Sequence, residues 1–519
     1  MKKLQLSAAL TAATVIAIAA PAALGLQTAE AAPSGTAIST ADDLKAMEKN
    51  PSGSYYLAKD IAVPSNMTLF TTSGKSFKGT LDGNGHKLTG YRYTASSFAQ
   101  DVALFKNANG ATFKNLNMSG VDIKLNGGGS AAGIVARTTS CKFENVSTSG
   151  KITIKSNGSE EQDYSTAAGL VLYENKSGSF NKCTNSINIE LAHIGQSAPM
   201  AAGIVKIQSG GTLTNCTNKG KITITHTPDA DWGSSECTAA GITTLYSGSK
   251  AISGCKNTAS LSITGKKSGS YNASFVSQIA GIANTSNASL VSCTNSGKLS
   301  VTNNTVHSGG ATIAGVAGEL NGNKSKVSKC SNSGAISYTG KKAGGLGNIE
   351  LAGVTDAAII EQSYNKGKVS VNSNVPADAG GISSWCADMR NCYNTGAIVH
   401  KGTGNVGGLA GKASVIGGYV KANYSTGKVS GSSSKKLYKG QLIGYYSGGY
   451  DVSKRNIFDN YYTNSGKAYG GADYTWKPWL ATAKKVSSIT SGNCPKLTSK
   501  YWTYSSKYKR LVLKANKEK

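Results

Sequence analysis

The stretch AAGIVKIQSGGTLTNCTNKGKITIT, residues 201–225, recurs with variations along this chain of 519 residues. The glycine of its opening AAGIV occupies one register, at Gly133, Gly169, Gly203, Gly241, Gly281, Gly315, Gly353, Gly381, Gly408 and Gly444. These glycines span 311 residues in nine steps, so the mean period is near 35 residues. A fixed period of this length is typical of stacked repeats, because one repeat alone cannot bury its apolar face.

Each repeat contains short segments of alternating apolar and polar residues, broken by glycine, asparagine and serine. This texture indicates β-strands and excludes helical repeats. One register, shared with Leu116 and Val146, holds a cysteine at Cys183, Cys216, Cys255, Cys293, Cys330 and Cys392. Two places later comes an asparagine, at Asn185, Asn218, Asn257, Asn295, Asn332, Asn365 and Asn394.

These registers predict an all-β fold, a right-handed parallel β-helix with three short strands in each coil. Successive coils would pair in parallel about 4.8 Å apart, so that like residues stack on like. Asparagine and glycine would stand at corners that need a left-handed or otherwise strained backbone. The asparagine amides are expected to hydrogen-bond to the neighbouring coils.

The two ends of the chain depart from the repeat. Residues 1–31 read as an export signal peptide, with two lysines, an alanine-rich apolar run and Ala-Glu-Ala before the cleavage point. The alternative is a retained membrane anchor. No other run reaches the length of a transmembrane helix. The carboxyl end has no LPxTG-type sorting signal, so covalent attachment to a cell wall is not expected.

Three further regions follow the predicted signal. Residues 32–100 would form an N-terminal cap and the first coils, and the sequence TADDLKAMEKN predicts a short helix with Thr40 as its N-cap. Residues 101–470 would form the β-helix itself. The basic segment 471–519 breaks the repeat and reads as a C-terminal cap.

The ten cysteines of an exported chain favour disulfides on composition alone. Their position favours the opposite interpretation, because six of the ten share a register with Leu116 and Val146 and so resemble small core residues. Side-by-side stacking is also not the preferred disulfide geometry. We therefore expect a ladder of reduced thiols. No metal site is expected, because no CxxC occurs and the five histidines fall in unrelated places.

The formal net charge is +28 at pH 7. Such a charge favours anionic partners, which for an exported protein include a cell-surface polymer or a glycan. A host or matrix protein is a further candidate partner, and no specific nucleic-acid motif is found. The alternative interpretation of the charge is a solvated surface that keeps the chain soluble.

Catalytic residues are not expected. β-Helices commonly host polysaccharide lyases and hydrolases, which need carboxylates close together. Here Asp and Glu total 27, and the sequence suggests that they do not recur in register across consecutive coils. The acidic groups around residues 160 and 230 fall in inserts, where solvated charge is the simpler interpretation. No cofactor is expected either.

A tyrosine register is the strongest candidate for binding. The position after the cysteine holds Tyr364, Tyr393 and Tyr424 in the late repeats, with Tyr461 near the next. Because alternate residues of a strand face opposite sides, these tyrosines should face outward. With the C-terminal cations Lys507, Lys509 and Arg510, they would form a flat aromatic and basic strip. The alternative is that the tyrosines pack on each other or under the C-terminal segment.

A family resemblance rests on VGGLAG from Val406, NYSTGKVSG from Asn423, and the earlier sequence YYLAKDI with FKGTLDGNGHKLTG. In these motifs the chain resembles the GLUG-motif family of exported bacterial surface proteins. That family's repeat also occurs beside the catalytic domain of immunoglobulin-A-cleaving metalloproteases. The zinc signature HExxH is absent from this sequence, so the resemblance does not extend to protease activity.

The sequence therefore predicts an exported, cell-surface β-helix that acts as an adhesive or binding shaft for an anionic wall polymer or glycan. Two alternatives stay open. One is a lyase or hydrolase acting on acidic polysaccharide, and the other is a purely structural envelope protein.

Overall fold

The computed structural model describes residues 33–156, 158, 164–228, 234–267, 274–305, 307–322, 324–340, 348–357, 359–415, 418–433, 436–448, 456–472 and 481–518. The predicted signal peptide over 1–31 lies outside these residues, as do most of the acidic insert residues.

A short helix, Ala41–Ala46, and a 3-10 turn, Met47–Lys49, precede the coils. Thr40 is the N-cap, as predicted. Its hydroxyl accepts a hydrogen bond from the Asp43 backbone N–H at 3.1 Å, and the Asp43 carboxylate accepts one from the Thr40 N–H at 2.9 Å. This capping box satisfies N–H groups that have no partner within the helix. Leu44 and Met47 are buried in the same core as the first coils.

The strands of the described residues lie in three faces, and the largest is called the long sheet. It begins with Thr36–Ile38, Ser54–Leu57, Ile61–Ala62, Thr80–Asp82, Lys87–Thr89 and Arg92–Ala95. Its first column comprises Thr112–Lys114, Lys142–Glu144, Ser179–Asn181, Thr212–Thr214, Ile252–Ser253, Leu290–Val291, Val327–Ser328, Ile359–Glu361, Asp388–Arg390 and Val420–Lys421. Its second column comprises Asn117–Leu125, Ser147–Lys155, Thr184–Ile194, Thr217–Asn218, Ile222–Thr227, Lys256–Asn257, Leu261–Gly265, Thr294–Asn295, Leu299–Asn303, Ser331–Asn332, Ile336–Gly340, Tyr364–Asn365, Val369–Ser373, Tyr393–Asn394, Ile398–Lys401, Tyr424–Ser425 and Val429–Ser432. It ends with Ile457–Tyr462 and Ala481–Lys485.

Two further faces complete each coil. The second sheet comprises Ala99–Val102, Gly129–Ala132, Ser165–Ala168, Met200–Ala202, Ser234–Ala240, Ser274–Ala280, His307–Ala314, Ile349–Ala352, Ala377–Gly380, Gly404–Gly407 and Leu437–Gly440. The third face comprises Phe105–Asn109, Val135–Thr139, Val171–Asn175, Val205–Gln208, Thr243–Tyr246, Ala283–Ser286 and Ala317–Leu320, and then Ser383–Cys386, Ala410–Val415, Ile443–Gly448 and Tyr469–Ala472. The described C-terminal residues add an antiparallel pair, Trp502–Ser505 and Arg510–Leu513.

The predicted parallel β-helix is confirmed. The chain passes from the second sheet to the third face and then through both columns of the long sheet, and equivalent strands of successive coils pair in parallel. The third face is interrupted after Ala317–Leu320, where an isolated bridge joins Ala317 to Thr355. Like residues stack in the core: Ile224 pairs with Ile263, and Ile263 with Val301. The rings of Phe143 and Phe180 stack 4.7 Å apart and 1° from parallel. This stacking lets short strands share one continuous core.

The glycine of the repeat is explained by a close approach between coils. A Cβ on Gly203 would lie 2.1 Å from the carbonyl oxygen of Gly241 in the next coil and 2.6 Å from the Asn218 side chain. Any larger residue would push two coils apart. Gly203 therefore leaves the space that the Asn218 side chain occupies in the interior of the coil.

The asparagines form a buried hydrogen-bonded ladder. The amide of Asn218 donates to Asn257 at 2.9 Å, Asn257 to Asn295 at 2.8 Å, and Asn295 to Asn332 at 2.7 Å. The same contact joins Asn185 to Asn218, Asn332 to Asn365, and Asn365 to Asn394. Each amide thus serves as both donor and acceptor between coils.

The prediction of a left-handed backbone at these asparagines is wrong. The left-handed residue is the one before the cysteine register, as at Lys182 with φ 55°, Asn215 with φ 54° and Asn391 with φ 52°. Asn218 holds its turn with its side chain, donating to the Gly220 carbonyl at 3.0 Å and accepting from the Gly220 N–H at 3.2 Å. The hydrogen bonds of the Asn218 side chain therefore stabilise the turn, and the asparagine does not need a left-handed φ.

All ten cysteines are buried free thiols. Six of them, Cys183, Cys216, Cys255, Cys293, Cys330 and Cys392, stack at the start of the second column, where the Cys293 N–H lies 3.3 Å from the Cys330 sulfur. Burial raises the pKa of the Cys392 thiol well above its usual range. These thiols are small core residues shielded from solvent.

Candidate functional site

The predicted tyrosine strip exists, but it is covered. Tyr364 and Tyr393 stack 5.0 Å apart, and Tyr393 and Tyr424 stack 4.9 Å apart, each pair within 12° of parallel. They face out of the coil, as strand alternation requires. However, Tyr393 and Tyr424 are both 0% exposed, so the expectation of an open aromatic surface is wrong.

The C-terminal segment covers this strip. The ring of Trp502 lies 5.4 Å from that of Tyr424, and the Tyr424 hydroxyl donates to the Leu511 carbonyl at 2.6 Å. The Tyr461 hydroxyl accepts from the Lys496 N–H at 3.2 Å. Burial raises the pKa values of Tyr393 and Tyr424 above the usual range. The strip is therefore a secondary core, which is the alternative that the sequence left open.

The three C-terminal cations have different environments. Lys507 and Lys509 are exposed, and the Lys507 ammonium lies 5.1 Å from the centre of the Tyr508 ring. Arg510 is partly buried and pairs with Glu518, while its guanidinium lies 5.7 Å from the Tyr393 ring centre. Arg510 therefore fastens the segment to the coils and is not an open contact for an anion.

A concave corner outside the core separates the second sheet from the third face. Its floor residues, which include Ala132, Ala136, Ala168 and Leu172, are fully buried yet form a cluster apart from the main core. At Gly380 a Cβ would lie 1.8 Å from the Ser383 carbonyl oxygen, so the two faces meet at a sharp angle. The outward side chains of both faces therefore converge above this floor.

We call the middle of this corner the axial groove. Its second-sheet wall comprises Thr238, Gln278, Thr312, Glu350, Asp378 and Asn405. Its opposite wall comprises Leu245, Thr285, Glu319, Trp385 and Lys412. Thr244, Asn284, Asp356 and Ser384 stand along the floor.

Carboxylates concentrate at the late end of the axial groove. Glu350 pairs in register with Asp378 of the next coil. The Ser384 hydroxyl donates to Asp356, and the Asn405 amide donates to Asp378 at 2.7 Å. Burial, together with the neighbouring Asp356 carboxylate, raises the pKa of Glu350 from its ordinary value of 4.5 to about 8. Burial also raises the pKa values of Asp356 and Asp378.

This arrangement corrects the sequence analysis, which found no acidic residues in register on consecutive coils. Glu350 and Asp378 each stand three places before the repeat glycine, Gly353 or Gly381. Aligning that register would have revealed the pair. Asp356 stands three places after Gly353, the register that holds Ser384 after Gly381, and the fold shows that this register lies beside Glu350.

The early end of the same corner has the opposite charge. The Arg137 guanidinium donates to Asp101 at 2.6 Å and lies 4.8 Å from the Tyr173 ring centre. The Lys206 ammonium, on a residue only 3% exposed, donates to the Tyr173 hydroxyl at 2.8 Å. Burial, reinforced by Arg137, lowers the pKa of Lys206 to about 8. The corner thus changes from basic and aromatic to acidic along the helix axis.

The described residues do not fit a metal centre. Within them, no group of three His, Cys, Asp or Glu side chains is placed to hold an ion. The two stacked histidines, His193 and His226, have ring centres 5.3 Å apart, and burial lowers the pKa of His226 to about 3. Neither the helix Ala41–Ala46 nor any other described segment forms an apolar helix of membrane-spanning length.

Comparison with known proteins identifies one matching family model. Residues 29–150 match the M26 IgA1-specific metallo-endopeptidase N-terminal region. A solved structure named IgA1 Protease is 14% identical, with a TM-score of 0.31. The alignment covers 66% of this chain and 23% of that one, so the chain spans about a quarter of that protein's length. No curated protein matches this chain.

These comparisons correct four expectations from the sequence. The matched family is the IgA1-specific endopeptidase region, so the assignment to the GLUG-motif family is wrong. An endopeptidase family also contradicts the prediction of an adhesive shaft for wall polymer or glycan, and that of a polysaccharide-active enzyme. The expectation that the chain has no catalytic activity is contradicted by the same match.

Proposed function

We propose that this chain acts in the extracellular proteolysis of an immunoglobulin, as the β-helical region that engages IgA1 for an endopeptidase. The observation that carries the proposal is the match of residues 29–150 to the N-terminal region of IgA1-specific metallo-endopeptidases. The matched stretch contains the capping helix and the first coils.

The architecture supports a role in holding a large substrate. The long sheet runs from Thr36–Ile38 to Ala481–Lys485 through parallel pairings between coils. Such a solenoid presents an extended binding surface. A protein bound to this surface would be held at a fixed position relative to the first coils, which lie within residues 29–150.

Secretion fits this proposal, since an immunoglobulin is an extracellular substrate. The sequence of residues 1–31 reads as an export signal. We further propose that the secreted chain is displayed at the cell surface.

The proposal is tested by measuring the affinity of the purified chain for IgA1, with IgG as the control immunoglobulin. We expect IgA1 to bind at micromolar concentration or tighter and IgG to bind much more weakly. No binding to IgA1, or equal binding to both, would overturn the proposal. The IgA1 mixture is also analysed by denaturing electrophoresis, where discrete fragments of the heavy chain would support the role in proteolysis directly.

A further inference from the structure

The axial groove is a built concavity with open walls and a closed floor. Its wall residues Gln278, Thr312 and Glu350 are partly exposed, whereas the floor residues Asn284 and Ser384 are almost wholly buried. From Thr238 to Asn405 the second-sheet wall takes five coil steps. At about 4.8 Å per step, the groove is about 24 Å long. An extended polypeptide of about seven residues has this length.

The groove is chemically suited to an occupant that donates hydrogen bonds. Asn284 is 2% exposed, and its amide nitrogen donates to the Ala239 carbonyl at 3.1 Å. Its amide oxygen, on the groove floor, has no partner among the described residues. A buried acceptor without a donor is costly, so a backbone or side-chain N–H from a ligand would be stabilising there.

The charge of the groove specifies the occupant further. Four carboxylates, Glu319, Glu350, Asp356 and Asp378, line its late half, and Lys412 is the one cation on the walls defined above. This negative region stands on a chain whose formal net charge is +28. The positive net charge of the protein therefore does not predict this negative region. A cationic side chain would be attracted to the groove by the local electrostatic potential.

We infer that the axial groove binds an extended polypeptide segment that carries a lysine or arginine, with the cationic side chain between Glu350 and Asp378. The backbone of the segment lies along the helix axis, across the outward side chains of successive coils. The identification of this segment as part of the immunoglobulin rests on the proposed function, but the chemistry of the groove does not.

The state of Glu350 supports this assignment. Burial, together with the carboxylates of Asp356 and Asp378, raises its pKa to about 8, so at neutral pH the carboxyl cluster holds a proton in place of a cation. An ammonium or guanidinium group would replace that proton. Glu319, Asp356, Asp378 and Lys412 are the other charged groups facing this position. Binding of a cationic segment should therefore release a proton and strengthen between pH 6 and pH 8.

The test uses a fluorescent synthetic peptide of about eight residues, made of serine, threonine and alanine with two lysines, and a matched peptide with two glutamates. We expect the lysine peptide to bind the full chain at least about tenfold more tightly than the glutamate peptide. The double variant Glu350→Gln with Asp378→Asn should weaken the lysine peptide about tenfold. Glu144→Gln, an exposed residue on the long sheet, is the matched control and should change nothing.

Folding of the double variant is checked by its melting temperature and circular dichroism. Equal binding of the two peptides, or full binding by a folded double variant, would overturn the inference. The same variants are then measured against IgA1. IgA1 binding that the double variant leaves intact would overturn the identification of the bound segment as part of the immunoglobulin, while the proposed function stands. Lysine-peptide binding without IgA1 binding would overturn the proposed function and support the groove.

Discussion

The hydroxyl of Tyr393 donates a hydrogen bond to the Glu518 carboxylate at 2.6 Å, although the two residues are 125 positions apart in the chain. Arg510 pairs with the same carboxylate. The Asn516 amide reaches further back along the coils and donates to the Cys330 carbonyl at 2.9 Å. The final residues of the chain therefore run back over the stacked tyrosines and fasten them to the coils.

The first prediction concerns this fastening. Tyr393→Phe removes the donor to a buried carboxylate and should lower the stability of the C-terminal segment by about 1.5–3 kcal/mol, the usual range for a hydrogen bond to a charged group. Hydrogen exchange should then accelerate over residues 486–518. Tyr504→Phe is the control, because that ring is 54% exposed. Unchanged exchange in Tyr393→Phe would show that the segment is held by its apolar contacts alone.

The second prediction concerns the asparagine ladder. Asn295→Leu leaves one N–H of the Asn257 amide without its acceptor, and the Asn332 oxygen keeps only its hydrogen bond from the Gly334 N–H. Each unsatisfied buried group costs about 1–3 kcal/mol. Chemical denaturation should show a loss in this range or above, whereas the exposed Asn109→Leu should be near neutral. Equal midpoints for both variants would contradict a stabilising ladder.

The third prediction concerns the thiol column. Cys293→Ala removes one buried sulfur and should cost about 1 kcal/mol, while Cys293→Asp places an unpaired carboxylate in the core and should prevent folding. Thermal unfolding distinguishes the two. Titration of the denatured, unreduced protein should find ten free thiols. A titre near zero would mean that the column is oxidised.

The fourth prediction concerns pH. The folded state raises the pKa of Glu350 from 4.5 to about 8, so between these values the folded chain binds more protons than the unfolded chain. Its contribution to stability is therefore full below pH 4.5 and is lost as the pH rises to about 8. Glu350→Gln should make the free energy of unfolding less dependent on pH across this window. An identical pH dependence for the wild type and the variant would contradict the shift.

The sequence was sufficient to predict the repeating part of the fold. Glycine, cysteine and asparagine registers with one period imply that equivalent residues stack, and this stacking fixes the parallel pairing. It also placed Tyr364, Tyr393 and Tyr424 on the outward side of their strands, since alternation within a strand is a local property. The backbone conformation of the asparagines was not predictable in the same way. An asparagine can stabilise a turn either by hydrogen bonds from its side chain or by adopting a left-handed φ, and the sequence pattern does not distinguish the two.

Tertiary structure alone decided what lies over and between those strands. Asp356 shares a repeat register with Ser384, but only the sharp corner between two faces brings this register beside that of Glu350. The covering of the tyrosines by residues 486–518 likewise joins distant segments, 125 positions apart in the case of Tyr393 and Glu518. A periodic sequence specifies contacts between neighbouring coils, which are equivalent at every step. Contacts with the C-terminal segment occur once, and the charges along the concave corner differ from coil to coil, so neither leaves a period in the sequence.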